Sequence, residues 1–381
     1  MEKKRTISGK NSRQLMKQEI SANSEGSYEM LVFSHLRWGF VYQRPQHLIS
    51  RLSKSFKVLF IEEPIAFHEE ERNTFDLEVI NTQLHVLKPR CSEIAGIADI
   101  LKQFLSRRHF PIGWFYSAAF SELLGDFEFE RVIYDCMDEL SLFRGANPQL
   151  VRQEKFLLSE ADFVFTGGKS LYEAKKEHHQ QVFCFPSSVE REHFESVEQD
   201  LTLPADIEPI KKPIVGYFGV IDERINLELL HDVAQLRPNV NFVMIGPLAK
   251  IEEQDLPREK NIHYLGMKNY KDLPAYIAAF NIAMMPFALN DATKFISPTK
   301  TLEYMAAGKP IISTAIKDVE RDYRDCISIV NGPEEFSTAI DKFLDAKELK
   351  TGEKYKEILD STSWDQTAMK MEKIIKRKVG A

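Results

Sequence analysis

The sequence predicts an α/β protein of two similarly wired lobes, each with a mostly parallel sheet, facing one another across a cleft. Three observations carry this expectation. Short apolar runs alternate with segments of helical spacing, the pattern of a parallel sheet covered on both faces. A polar, proline-containing stretch interrupts that alternation, which then starts again. The 381 residues, 43% apolar and 28% charged, suffice for two ordinary α/β cores.

In chain order, residues 1–27 are polar and mildly basic, lack the hydrophobic core of a signal peptide, and are expected to form a disordered arm. The first lobe occupies 28–189. Its strands are read at EMLVFS, KVLFIEEP, RVIYDCMDE, ADFVFTGG and QVFCFPSS, with helical spacing in RPQHLISRLSK and NPQLVRQEKFLLSE. Residues 190–213 read as a linker. The second lobe, 214–362, resumes with PIVGYFG, a helix over 226–236, NFVMIG, NIHYLG, the helix KDLPAYIAAF and NIAMMPF. Residues 295–314, FISPTKTLEYMAAGKPIIST, then read as a helix capped by Ser297 with Pro298 in its first turn. Gly308 closes that helix in the left-handed conformation, and a short buried strand follows. An amphipathic helix occupies 363–381.

A formal net charge of -7 excludes a general nucleic-acid binder, which needs a dominant basic stripe. Cys91, Cys136, Cys184 and Cys326 are scattered without CxxC spacing and read as reduced core thiols, the pattern of a cytoplasmic protein. No apolar run approaches the roughly 18 residues that span a bilayer. Peripheral contact with the cytoplasmic face of a membrane stays open, because residues 101–116 interleave Lys102, Arg107 and Arg108 with Phe104, Phe110 and Trp114. The same stretch reads equally well as a helix followed by a buried strand.

Ligands of open parallel sheets collect beyond the carboxyl ends of the strands, and the chemistry-bearing residues cluster there. Lys300 and Glu303, three apart, share a helix face beside a helix start that favours anions, so a diphosphate could meet Lys300 and ribose hydroxyls Glu303. A plain surface ion pair is the alternative. Gly219 permits close backbone approach, and Arg224 supplies a second cation unless it is spent on Asp222 or Glu223. GYFGVIDERIN lacks the GxGxxG of a nicotinamide site. In SHLRWGFVYQRPQHL, His35, Arg37, Trp38 and Arg44 offer the mixed polar and aromatic surface a sugar requires, whereas His47 reads as structural. Asp138 is a candidate general base, with helix capping as its ordinary alternative. No Asp-x-Asp pair suggests a metal, and no cofactor is expected.

The 295–314 stretch resembles the sugar-nucleotide motif of GT-B glycosyltransferases, especially the retaining family 4 group. WGFVYQRPQHL and YDCMDE resemble bacterial cell-surface polysaccharide glycosyltransferases, including the teichuronic-acid type. The resemblance runs from Tyr28 to the C-terminus and implies two Rossmann-like domains with the nucleotide in the second. It places Arg224, Lys300 and Gly219 at the donor diphosphate, Glu303 at the ribose, and Asn290, Asp291, Ser297, Pro298 and Thr299 at the donor-sugar loop. Asp138 and His35 become catalytic candidates, and Arg37, Trp38 and Arg44 fall on the acceptor side. The implied reaction moves a sugar from a UDP- or GDP-linked donor, without metal, to a hydroxyl of a surface-glycan or lipid-linked acceptor. The final helix should cross back to the first lobe.

Three departures stand out. Phe295 replaces a second family glutamate, one of two cations after the glycine is missing, and Ser187-Ser188 replaces the usual Asn-Gly of the hinge. Two rivals follow. A nucleotide-sugar epimerase of this fold would need no acceptor. A non-catalytic binding subunit would neither hydrolyse nor transfer a donor. Oligomeric state is not legible.

Overall fold

A computed structural model describes residues 28–198, 201–346 and 352–377; the expected N-terminal arm lies outside them. The first lobe holds eight strands: β1 (Met30–Ser34), β2 (Val58–Glu62), β3 (Thr74–Asn81), β4 (Leu84–Arg90), β5 (His109–Phe115), β6 (Glu128–Cys136), β7 (Phe163–Thr166) and β8 (Val182–Cys184). Their order is 3-4-2-1-5-6-7-8, and β3 alone runs antiparallel to its neighbour. The second lobe holds β9 (Ile214–Phe218), β10 (Asn241–Ile245), β11 (Ile262–Gly266), β12 (Ile282–Met285), β13 (Ile311–Thr314) and β14 (Ser328–Val330), all parallel, in the order 11-10-9-12-13-14. Strand order reverses between β1 and β5 and between β9 and β12. Those are the points where an open sheet leaves a crevice at its carboxyl edge.

Every residue of β1 and β2 is buried, as expected of strands covered on both faces. The β3–β4 pair was absent from the sequence reading. β3 is a partly exposed edge strand in which Asp76 and Glu78 interrupt the apolar residues, so it shows no continuous apolar run.

Residues 190–213 are more anchored than a linker. The helix Arg191–Glu195 forms there, and Phe194 and Ile207 enter the second-lobe core at 0% and 1% exposure. The helix Trp364–Ile375 returns to the first lobe. Trp364 stacks on His47 with ring centroids 4.7 Å apart, and Ala368, Met371, Ile374 and Ile375 join the apolar cluster beneath β1 and β2.

One local expectation needs correction. The helix within 295–314 is Lys300–Ala306, with Thr299 rather than Ser297 in the cap position and no side-chain cap bond. The carbonyl of Ser297 instead accepts from Ser187 Oγ at 2.6 Å, so this turn bridges the lobes before the helix starts. Gly308 does take a positive φ of 63°. Residues 101–116 take the second of the two readings given for them, a helix followed by a buried strand. They form the end of a helix (Ile97–Phe104) and β5, which buries Phe110 and Trp114, while Lys102 pairs with Asp126 at 2.5 Å and Arg107 reaches the Tyr28 carbonyl.

Candidate active site

The site begins at the carboxyl end of β9, where two glycines make room. Gly219 and Gly246 have φ values of +139° and +150°, conformations that side chains disfavour. A Cβ on Gly246 would lie 1.9 Å from the Gly219 carbonyl oxygen, and one on Gly219 would lie 2.1 Å from Lys300 Cε. The ends of β9 and β10 therefore close up, and the Lys300 side chain lies across Gly219, its Nζ 5.7 Å from the centre of the Tyr217 ring. Tyr304, on the same helix as Lys300, accepts the Phe218 N–H at 3.0 Å and fixes that helix to β9.

Lys300 and Arg224 share one hollow of about 100 Å³. Both lobes wall it: Arg44, Asp138 and Gly167 from the first, Tyr217, Arg224 and the 297–300 turn from the second. Burial, reinforced by Arg224, pulls the Lys300 ammonium below its usual range, with Glu303 opposing. The ion pair foreseen as the ordinary fate of Arg224 does form. Its Nε lies 3.0 Å from both Asp222 oxygens and Nη2 2.7 Å from Oδ2, yet the guanidinium still lines the hollow. Among the described residues no carboxylate pairs with Lys300, whereas Arg224 is already paired with Asp222.

Glu303 is 5% exposed and does not line the hollow; it sits one helical turn behind Lys300. Burial raises its carboxyl to about 7, against the pull of Lys300. Asp138 borders both the hollow and a larger interlobe cavity of about 790 Å³. It caps no helix, because Glu139 holds the cap position of the next turn and Gln149 that of the helix Leu150–Glu160. Burial raises its carboxyl above the usual range while Arg224 opposes, the direction that strengthens a base. His35 lines the larger cavity. Burial, then Lys250, lowers its imidazole to about 4, so it is neutral near pH 7.

The three acceptor-side candidates are otherwise engaged. Arg44, 3% exposed, binds the fully buried Asp135 through Nε at 3.1 Å and Nη2 at 2.8 Å, and donates to the Phe185 carbonyl at 2.8 Å. Its charge is spent holding β6 to the hinge. Arg37 pairs with Glu62 at 3.2 Å and donates to the carbonyls of Glu63 and Pro64. Trp38 packs on Phe60, and its backbone N–H donates to Glu62 Oε1 at 2.8 Å. Neither Arg37 nor Trp38 lines the cavity.

Phe40, which lies in the polar and aromatic stretch singled out above, does, and so do Gln43, Ser117, Phe143 and Lys250, which the sequence reading missed. Ser117 and Lys250 follow β5 and β10, so the strand-end rule could have found them. Of the residues expected at a donor-sugar loop, Ser297, Pro298 and Thr299 line the hollow. Asn290 is occupied in capping the 291–293 turn and in donating to the Glu223 carbonyl at 3.0 Å, and Asp291 points to solvent. Among the described residues, no group of three His, Cys, Asp or Glu side chains could hold a metal, and no helix is long and apolar enough to cross a membrane.

Residues 212–346 match the family model described as Glycosyl transferases group 1. With two parallel-sheet lobes and a hollow between them, the chain has the GT-B fold. It is 24% identical over 255 residues to a Bacillus subtilis (strain 168) protein described as a teichuronic acid biosynthesis glycosyltransferase, TuaH. That match covers 61% of this chain and 63%, less than two thirds, of the relative. Among solved structures, a sucrose-phosphate synthase from Thermosynechococcus elongatus superposes with a TM-score of 0.70 at 16% identity, over 91% of this chain and 98% of that one. An α,α-trehalose-phosphate synthase (UDP-forming) from Burkholderia xenovorans, in complex with glucose-6-phosphate, gives 0.67 at 11% identity, over 92% and 100%.

Proposed function

We propose that the protein transfers a sugar from a UDP- or GDP-linked donor to a hydroxyl of a surface-glycan or lipid-linked acceptor, without an obligatory metal. The observation that carries this is the hollow in which Lys300 and Arg224 of the second lobe meet Asp138 of the first. The similarity to a protein described as a teichuronic acid glycosyltransferase and to a UDP-forming synthase supports the substrate classes.

In this reading the acceptor oxygen attacks the anomeric carbon while the bond from that carbon to the β-phosphate oxygen breaks. The nucleoside diphosphate leaves with the electron pair. Lys300 and Arg224 neutralise the charge that develops on it, which is the dominant kind of help such a reaction needs. The acceptor proton goes to Asp138, or to the departing phosphate if configuration is retained. Glu303 receives the ribose once the lobes open enough to admit the donor. The protein works in the cytoplasm, at most touching the inner face of the membrane.

Purified protein incubated with a panel of UDP- and GDP-sugars, with and without glycan acceptors, decides the matter. Acceptor-dependent product that persists in chelator supports the proposal. Isomerised donor without acceptor would convert it to an epimerase, and absence of any turnover would leave a binding subunit. Asp138→Asn should lower kcat by about 10²–10⁴-fold, the range for removing a general base, with donor binding spared; near-normal turnover would remove Asp138 from the mechanism.

A further inference from the structure

Nine residues after Asp138, 139–147, form a loop in which no side chain is buried, so the first lobe contributes little apolar anchoring to it. At its root Glu139 pairs with Lys175 at 2.6 Å. Farther along, Phe143 and Arg144 find partners in the second lobe. Both carboxylate oxygens of Glu223, a side chain 9% exposed, lie 3.1 Å from the Arg144 backbone N–H. The Phe143 ring faces two second-lobe cations, with Arg224 Cζ at 5.6 Å and Lys250 Nζ at 4.8 Å. Glu223 is itself steadied, since its carbonyl accepts from Asn290 and Lys250 stands 3.8 Å from its carboxylate. Phe295, at the place where the family's second glutamate was expected, packs against the first-lobe core and so fastens the segment between β12 and the Lys300 helix, which also carries Asn290.

We propose that Glu223 is a positioning residue for the transfer step. By capturing the Arg144 N–H across the cleft it pins the 139–147 loop, and so brings Asp138 at the loop's root and Arg224 next to Glu223 to face one space. Three features support this. The neighbouring residues Asp222 and Arg224 line the cavity while Glu223 does not, so its carboxylate is directed at protein rather than at substrate. The Arg144 guanidinium also stands 3.9 Å from the Glu223 carboxylate, but the backbone N–H contacts are shorter, at 3.1 Å, and do not depend on the side chain at 144, which makes them a latch on the loop's path. The latch closes only when the lobes are together, so it couples assembly of the reacting groups to closure, a step that completes many active sites.

This inference rests on the transferase reading, and its test separates the two. Steady-state kinetics and calorimetric binding of nucleoside diphosphate are compared for the wild type, Glu223→Ala and Glu223→Gln. Because Glu223 does not line the donor hollow, nucleotide affinity should change less than about twofold. In Glu223→Ala kcat should fall between about tenfold and a hundredfold, the scale of a misplaced reacting group. Glu223→Gln keeps a side-chain oxygen for the Arg144 N–H and should recover most of that loss. A purely structural role would depress both variants and nucleotide binding together, and that result overturns the inference, as does a wild-type kcat in Glu223→Ala. If the wild type transfers sugar while Glu223→Ala is indifferent, only this inference falls. If the wild type neither transfers nor hydrolyses any donor, the transferase reading falls and takes the inference with it.

Discussion

Lys300 can lie across the end of β9 because position 219 carries no side chain. Gly219→Ala would meet both a φ of +139° and a Cβ 2.1 Å from Lys300 Cε, so the lysine must move off the hollow. The donor KM should rise by roughly tenfold or more, the cost of losing one charge-assisted contact of about 1.5–3 kcal/mol, with the thermal midpoint lowered as well; a donor KM unchanged in this variant would place the phosphate elsewhere. Glu303 gives a pH signature of known sign. Its folded carboxyl sits near 7, above the ordinary 4.5, so its contribution to stability is complete below about pH 4.5 and is lost as the pH rises through 7. Glu303→Gln should therefore stabilise the unliganded protein at pH 8, by on the order of 3 kcal/mol, and have no effect at pH 4. Donor affinity should move the opposite way, weakening in the wild type as the pH falls below 7 because a protonated acid grips ribose less well. Melting curves and donor titrations at three pH values check both signs.

Among the elements, the final helix has the clearest energetic role. Trp364 is 1% exposed and stacked on His47, so Trp364→Ala should destabilise the protein by about 3–5 kcal/mol, read as a lower denaturant midpoint. The strands most easily read from sequence were those buried on both faces, since EMLVFS and KVLFIEEP are nearly unbroken apolar runs. β3 escaped because acidic residues on an edge strand break the run. The Lys300–Glu303 helix was legible through Gly308 and the spacing of its charges, but its start was not. Local cap rules favour Ser297, whereas the contact that decides the matter comes from Ser187, more than a hundred positions away. The same limit explains the acceptor side. Nothing near Arg44 in the sequence reveals that Asp135 will consume its charge, while the hollow between the lobes was partly legible because strand ends and glycines mark it.

At the scale of the whole molecule, the lobes meet through charge as well as through the cleft. Asp318, 2% exposed, accepts the Ser170 N–H at 3.1 Å, and beside it Lys169 reaches Asp322 at 2.5 Å and Lys317 reaches Glu173 at 2.9 Å. A nucleotide bound between the lobes should raise the melting temperature of the whole chain as one transition, by the equivalent of about 2.7 kcal/mol at a hundredfold excess over Kd; a calorimetric scan in which only one of two transitions moved would contradict that coupling. The chain passes between lobes twice, and the passages lie side by side: Arg51 binds Glu190 at 2.9 Å and Asp365 at 3.1 Å, while Arg191 binds Asp360 at 2.5 Å. A body tethered at two neighbouring points can swing about the line through them but resists swivelling or sliding. Opening to admit a donor should therefore resemble a book parting along its spine. The same wiring means that a fragment stopped at 362 would strip the first lobe of its own wall, leaving a greasy trench along the helix that carries His47.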